Sequence, residues 1–286
     1  ARGGGGWWGE VGRVRGPRTG RAAHGGERGD AFHGIAPSLP GDAWSGPTAD
    51  PGWGPDRTGR AFALLADRLG YDRYGVQGGD WGSLVSQHIA GHDPDHVVGC
   101  HLNMVAAFPR GRDGDLDDVT PVEQRHLDRL AWYQAEDNGY FRIQETRPHT
   151  LGVGLHDSPA GLLSWIGEKF HGWTDHDGDP LDVVDRDDLL TNVSIYWYTG
   201  TITSSARFYL EFRRDLTEGR LPPPNTEIPF GVSAFPEELM VGRRRWVEAD
   251  RNITFWREHD RGGHFAAMER PKEFVADVRE FFRALR

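Results

Sequence analysis

The residues Gly78-Gly79-Asp80-Trp81-Gly82-Ser83 bring together the types and spacing from which chemistry could arise. They follow the apolar stretch Tyr74-Gly75-Val76-Gln77, and Gly78, Asp80 and Gly82 reproduce the glycine spacing of a nucleophile elbow, with a carboxylate where serine hydrolases carry a hydroxyl. A reactive side chain on a sharp strand-to-helix turn sits in strained backbone, and neighbours without a β-carbon let strand and helix close around it. Aspartate at the apex implies a nucleophile that forms an ester through its own carboxylate. That favours attack on an electrophilic carbon, as in an epoxide or alkyl halide, over attack on an ester carbonyl. Alone, the hexapeptide is also ordinary turn composition.

Such an ester must be hydrolysed, which calls for a general base held by an acid. In the matching chain order the acid and then the histidine follow the nucleophile, both on loops after late strands. Val232-Ser233-Ala234-Phe235-Pro236-Glu237-Glu238 offers Glu238 after a predicted strand, and Arg261-Gly262-Gly263-His264-Phe265 offers His264 between the last strand and the last helix. Taken singly, His264 is one of 13 histidines and reads as a loop residue, while Glu238 reads as first-turn decoration of a helix. The shared order, each residue just after a strand, favours the catalytic reading. A second cluster, His88, His92, His96 and His101, offers the helical i,i+4 pair His88/His92, but His96 and His101 lie beyond the helix-ending Asp93-Pro94 and no nearby glutamate completes a zinc-protease pattern. It reads as solvated helix surface, with no metal expected.

The elements that would position these groups alternate as strand, helix, strand. Ala31–Ala36 reads as a short buried strand and Asp56–Leu69 as a helix capped by Asp56 and stopped by Gly70. The strand into the elbow, a helix over about 83–90 and a strand over 97–104 follow, a rhythm that implies a parallel sheet with crossover helices. After Pro109 come helical patterns at about 121–138, 158–170 and 185–198, then a polar linker over 215–227. Strands return at 228–233 and 253–256, and the final helix, 271–285, carries Phe274, Val278, Phe281, Phe282 and Leu285 on one face. The simplest architecture is an α/β sheet interrupted by helices from about 109 to 215.

At 286 residues the chain accommodates one large α/β domain with an insertion, or two small domains. Eleven Trp argue for a packed core, while 39 Gly and a mean hydropathy of −0.61 make the chain loop-rich. A net charge of −10 gives no footprint for nucleic acid or anionic membrane, and the run Arg243-Arg244-Arg245 reads as solvated surface. The single cysteine, Cys100, excludes an intrachain disulfide framework and a cysteine-based zinc site, and its apolar setting implies a buried, inert thiol. No segment approaches ~18 consecutive apolar residues. With no signal-peptide pattern at the start, the chain reads as a soluble cytoplasmic protein.

The stretch from Gly75 through Ser83 to His101-Leu102-Asn103-Met104 resembles the microsomal and juvenile-hormone type epoxide hydrolases and their bacterial and fungal relatives. The similarity continues through Gly139-Tyr140-Phe141-Arg142-Ile143-Gln144, Asp157-Ser158-Pro159-Ala160-Gly161-Leu162, Gly167-Glu168-Lys169-Phe170, Tyr196-Trp197-Tyr198-Thr199-Gly200-Thr201, Phe235-Pro236-Glu237-Glu238 and Gly262-Gly263-His264-Phe265. It covers roughly residues 22–286. The resemblance implies an α/β-hydrolase fold: a mostly parallel sheet, flanking helices and an inserted helical cap. Residues 1–108 would form the first part of the core, 109–215 the cap and 216–286 the second part of the core.

Carried over position by position, the resemblance makes Asp80 the nucleophile, Glu238 the acid, His264 the base, and Tyr140 and Tyr209 the phenols that hold and protonate the epoxide oxygen. The backbone N–H of Trp81 would serve the oxyanion of ester hydrolysis. The family's second donor would fall on Gly4, where its histidine, tryptophan and proline are absent. Residues 1 to about 21 are irregular and read as a truncated or frameshifted start, with the first strands missing. No cofactor is required; the expected partners are a small hydrophobic epoxide and water, and a homodimer is left open. Two rivals remain: a haloalkane dehalogenase-like enzyme, which shares the aspartate and the following tryptophan, and a catalytically impaired N-terminally truncated remnant.

Overall fold

The computed structural model describes residues 32–111, 113–222 and 225–286. Gly4 and the irregular segment 1–21 lie outside the described residues. Among those described, four strands form one sheet: β1 (Tyr74–Gly78), β2 (Val97–Leu102), β3 (Asn225–Ala234) and β4 (Arg251–Glu258). They stand in the order β1-β2-β3-β4, and every pair is parallel. Parallel neighbours require crossover connections. Accordingly, helix α1 (Pro55–Arg68) precedes β1 and α2 (Trp81–His92) links β1 to β2.

Between β2 and β3 the chain leaves the sheet for six helices: α3 (Pro121–Trp132), α4 (Gly139–Thr146), α5 (Pro148–Asp157), α6 (Pro159–Trp173), α7 (Arg186–Thr199) and α8 (Ile202–Thr217). Their starts follow local chemistry. Thr120 and Glu123 form a reciprocal capping box at α3, Ser158 accepts from the Gly161 N–H before Pro159 at α6, and Asp185 caps α7. A π-helical turn, Tyr133–Asp137, follows α3 directly. The short α9 (Arg244–Glu248) precedes β4, and α10 (Ala266–Glu269) and α11 (Pro271–Arg283) close the chain.

One face of the sheet is shaped to receive α11. A β-carbon at Gly75 would lie 2.2 Å from the Phe282 ring, at Gly99 2.4 Å from Leu285, and at Gly231 2.7 Å from Phe281. Gly75 and Gly99 are register partners, so the bare backbone of neighbouring strands forms a trough for the aromatic ridge of the last helix. Val76, Val85, Leu102, Phe230 and Val232 build the main core, all buried.

Several expectations need correction. Ala31–Ala36 does not give a strand: residues 32–37 have no regular structure and Ile35 is 44% exposed. Its apolar residues, Phe32 and Ile35, fall three apart and do not alternate. Helix α1 starts at Pro55 with Gly54 in the cap position, so Asp56 is a first-turn residue. Arg243 is buried, not solvated; it meets the carbonyls of Asp115, Asp117 and Asp118 and pairs with Glu123 at 3.0 Å. His88 and His101 are likewise buried. Cys100 is fully buried, and burial pushes its thiol well above the ordinary range. Among the described residues no helix is long and apolar enough to cross a membrane.

Candidate active site

Asp80 sits at the junction of β1 and α2 with φ 50° and ψ −134°, a left-handed conformation that costs energy for a residue with a β-carbon. Its neighbours explain how the turn closes. A β-carbon at Gly78 would lie 1.9 Å from the Gly82 carbonyl oxygen, and one at Gly79 would lie 2.5 Å from the Asn103 side chain. Strand and helix therefore approach more closely than any other residue type permits. Ser83 anchors the far side by donating its hydroxyl to the Met104 carbonyl at 2.6 Å.

Glu238 and His264 come from the loops after β3 and β4, at the same strand ends as Asp80. A bridge between Glu237 and Gly263 stitches the two loops together, and the Glu237 N–H donates to the Gly262 carbonyl at 3.1 Å. The His264 N–H donates to the Trp173 carbonyl at the end of α6, at 2.9 Å. Held this way, His264 Nδ1 lies 2.7 Å from Glu238 Oε1, and its Nε2 lies 3.6 Å from Asp80 Oδ2. Glu238 is fully buried and His264 is 4% exposed. Burial alone would pull the imidazole down, but the Glu238 charge and then the nearby Asp80 carboxylate outweigh it and lift His264 to about 10.

Tyr140 on α4 and Tyr209 on α8 stand with ring centroids 5.9 Å apart. Tyr209 packs edge-on against Trp81 at 4.8 Å, and Tyr140 lies 5.3 Å from Trp173, whose ring in turn meets His264 at 5.0 Å. Burial first holds both phenols protonated well above the ordinary tyrosine range, and the Asp80 charge acts on both in the same direction. The Trp81 N–H occupies the first helical position of α2, where no intrahelical partner exists.

Tyr133 joins this group without any signal from the sequence. Its hydroxyl lies 3.1 Å from that of Tyr140, and the residue is buried. The π turn that places it interrupts the helical period that a sequence reading would extend through the segment. Of the histidine cluster, His88 and His92 join Asp56 as one group that could hold a metal, with ligand atoms within 4.8 Å of one another. Ordinary pairing accounts for it: Asp56 lies 2.8 Å from His92 Nε2 and 3.3 Å from Arg60, while burial keeps His88 neutral, pulled down to about 4.

No family model matches the chain. A Stigmatella aurantiaca protein provisionally named an epoxide hydrolase is 44% identical over 270 residues, which cover 94% of this chain and 60% of that protein. Epoxide hydrolase 1 of Sus scrofa is 35% identical over 279 residues, covering 89% of this chain and 60% of the pig protein. The crystal structure of juvenile hormone epoxide hydrolase from the silkworm Bombyx mori superposes with a TM-score of 0.90 at 31% identity, covering 99% of this chain and 70% of that one. The chain belongs to the epoxide hydrolase family. Its fold is the α/β-hydrolase fold shared with those structures. As an epoxide hydrolase family member it spans about 60% of the length of the first curated relatives.

Proposed function

We propose that this chain opens a small hydrophobic epoxide to a vicinal diol through a covalent ester on Asp80. The observation that carries the reading is the Glu238–His264 pair against the Asp80 carboxylate, with the buried Tyr209 packed on Trp81, the residue after Asp80, and Tyr140 packed on Tyr209. Asp80 attacks an epoxide carbon from behind while Tyr140 and Tyr209 hold the ring oxygen, which takes up a proton as the C–O bond breaks. Esterification removes the Asp80 charge and with it part of what keeps His264 protonated. The imidazole, still held by Glu238, releases that proton to solvent and then accepts one from water, and the hydroxide attacks the carboxyl carbon of Asp80. The oxyanion formed there finds the Trp81 N–H. In this reading residues 109–215 act as the cap that brings the phenols over Asp80, and 1–108 and 216–286 supply the core.

Trp81 beside the nucleophile also suits a haloalkane dehalogenase, so the test must separate the two. Wild type and a Tyr140→Phe/Tyr209→Phe double variant are incubated with an aryl epoxide and, separately, with a 1-chloroalkane. We expect diol from the epoxide with wild type only, and no chloride release from either protein. Chloride release that survives the double substitution, without diol formation, would replace this reading with dehalogenation.

A further inference from the structure

The three tyrosines of the site are not equivalent. Tyr209 is framed by the rings of Trp81, Phe141 and Tyr140. Tyr140 has a second phenol on its oxygen and a cation on its ring: Tyr133 Oη lies 3.1 Å from Tyr140 Oη, and Lys169 Nζ sits 4.2 Å from the Tyr140 ring centroid. Both come from one device. The π turn begins with Tyr133 and ends with Asp137, whose carboxylate takes the Lys169 ammonium at 3.1 Å and the Trp173 indole N–H. Glu168 holds the same ammonium at 2.7 Å. Lys169 is one of only two lysines in a chain otherwise supplied with arginine, and it is 8% exposed. A buried cation laid on an aromatic face needs a reason, and the ring beneath it is that of Tyr140.

We propose that Tyr133 is a positioning residue for epoxide opening: it fixes the Tyr140 phenol and donates its own hydroxyl hydrogen to the Tyr140 oxygen as that phenol yields its proton. The inference rests on the epoxide-opening reading above. In the step, an Asp80 oxygen forms a bond to the epoxide carbon, the C–O bond breaks, and its electron pair takes the Tyr140 proton. The Tyr140 oxygen becomes anionic and accepts from Tyr133, with the Lys169 ammonium over the ring that carries it. After ester hydrolysis Tyr140 regains from solvent the proton that His264 released, so one cycle consumes one water and no net proton. Tyr133 touches no reacting atom and acts only through Tyr140.

The test is a double-mutant cycle read by single-turnover stopped flow on the full chain with an aryl epoxide. The tryptophans beside the site, Trp81 and Trp173, report ester formation and decay by their fluorescence. We expect Tyr133→Phe to slow ester formation about tenfold, the value of one hydrogen bond to a charged group, and to leave ester hydrolysis unchanged. In a Tyr140→Phe background the same substitution has no further effect. The signal amplitude counts folded sites, so partial misfolding lowers amplitude and not rate. Wild-type ester formation in Tyr133→Phe, equal slowing of both steps, or the same loss with Tyr140 absent would each overturn the inference. A wild-type chain that opens no epoxide overturns the functional reading itself, and this inference with it.

Discussion

The influences on His264 favour its protonated form, so in the proposed mechanism it has to lose a proton before it acts as a base. The Glu238 charge is the largest influence lifting it, followed by its contact with Asp80. In the proposed mechanism esterification of Asp80 removes only the second, which would time the base to the step that needs it. Replacing Glu238 with Gln removes the first, leaves the imidazole poorly oriented, and should slow ester hydrolysis by about 10²–10⁴. Rapid quench and peptide mass analysis would then find the Asp80 ester accumulating. The same pair sets a pH dependence of stability. A histidine raised from 6.5 to about 10 contributes stability that is fully present below pH 6.5 and gone above about pH 10. Melting temperatures of wild type should therefore fall between those values more steeply than those of Glu238→Gln; parallel curves would contradict the assigned shift. At this scale the grouping of Asp80, Glu238 and His264 was legible because each follows a strand, with glycines beside Asp80 and His264. Tyr133 was not, because a π turn leaves no periodic trace in the sequence.

The elbow depends on backbone contacts that no side chain can share. Gly78→Ala would drive a methyl into the Gly82 carbonyl oxygen, and overpacking of this kind costs ~1–3 kcal/mol or more. Gly167, in the middle of α6, has nothing within 4 Å of an added β-carbon, so Gly167→Ala should instead stabilise by ~0.5–1 kcal/mol. Urea unfolding of the two variants should move in opposite directions; equal shifts would contradict the close approach at the elbow. The sheet rhythm, the positions of α3, α6 and α7 and the amphipathic last helix were readable from the sequence. Helix α8, which carries Tyr209, was not among the helical patterns found. Its start, Ile202-Thr203-Ser204-Ser205, is rich in β-branched and short polar residues of modest helix propensity, and tertiary packing decides its conformation.

Across the whole molecule, Arg243 ties the returning half of the chain to the beginning of the helical excursion. Its guanidinium spans the carbonyls of Asp115, Asp117 and Asp118 and the carboxylate of Glu123, which also completes the capping box of α3. Arg243→Ala strands those acceptors, at the low end of the ~3–5 kcal/mol that breaking a buried pair costs, since Glu123 is partly exposed. Thermal melts should show that loss, and Arg243→Lys should recover only part of it, because an ammonium does not span the same acceptors. This hub lay in a basic run that looked like ordinary surface, for nothing in the sequence shows which arginine the fold buries. A covalent ester on Asp80 decides which molecule receives the oxygen of water. The protein, in excess over an aryl epoxide, is allowed a single turnover in oxygen-18 water, and both the diol and the Asp80 peptide are weighed. A covalent ester gives unlabelled diol and label in Asp80; labelled diol with unlabelled Asp80 would mean that water attacks the epoxide directly and that no ester forms.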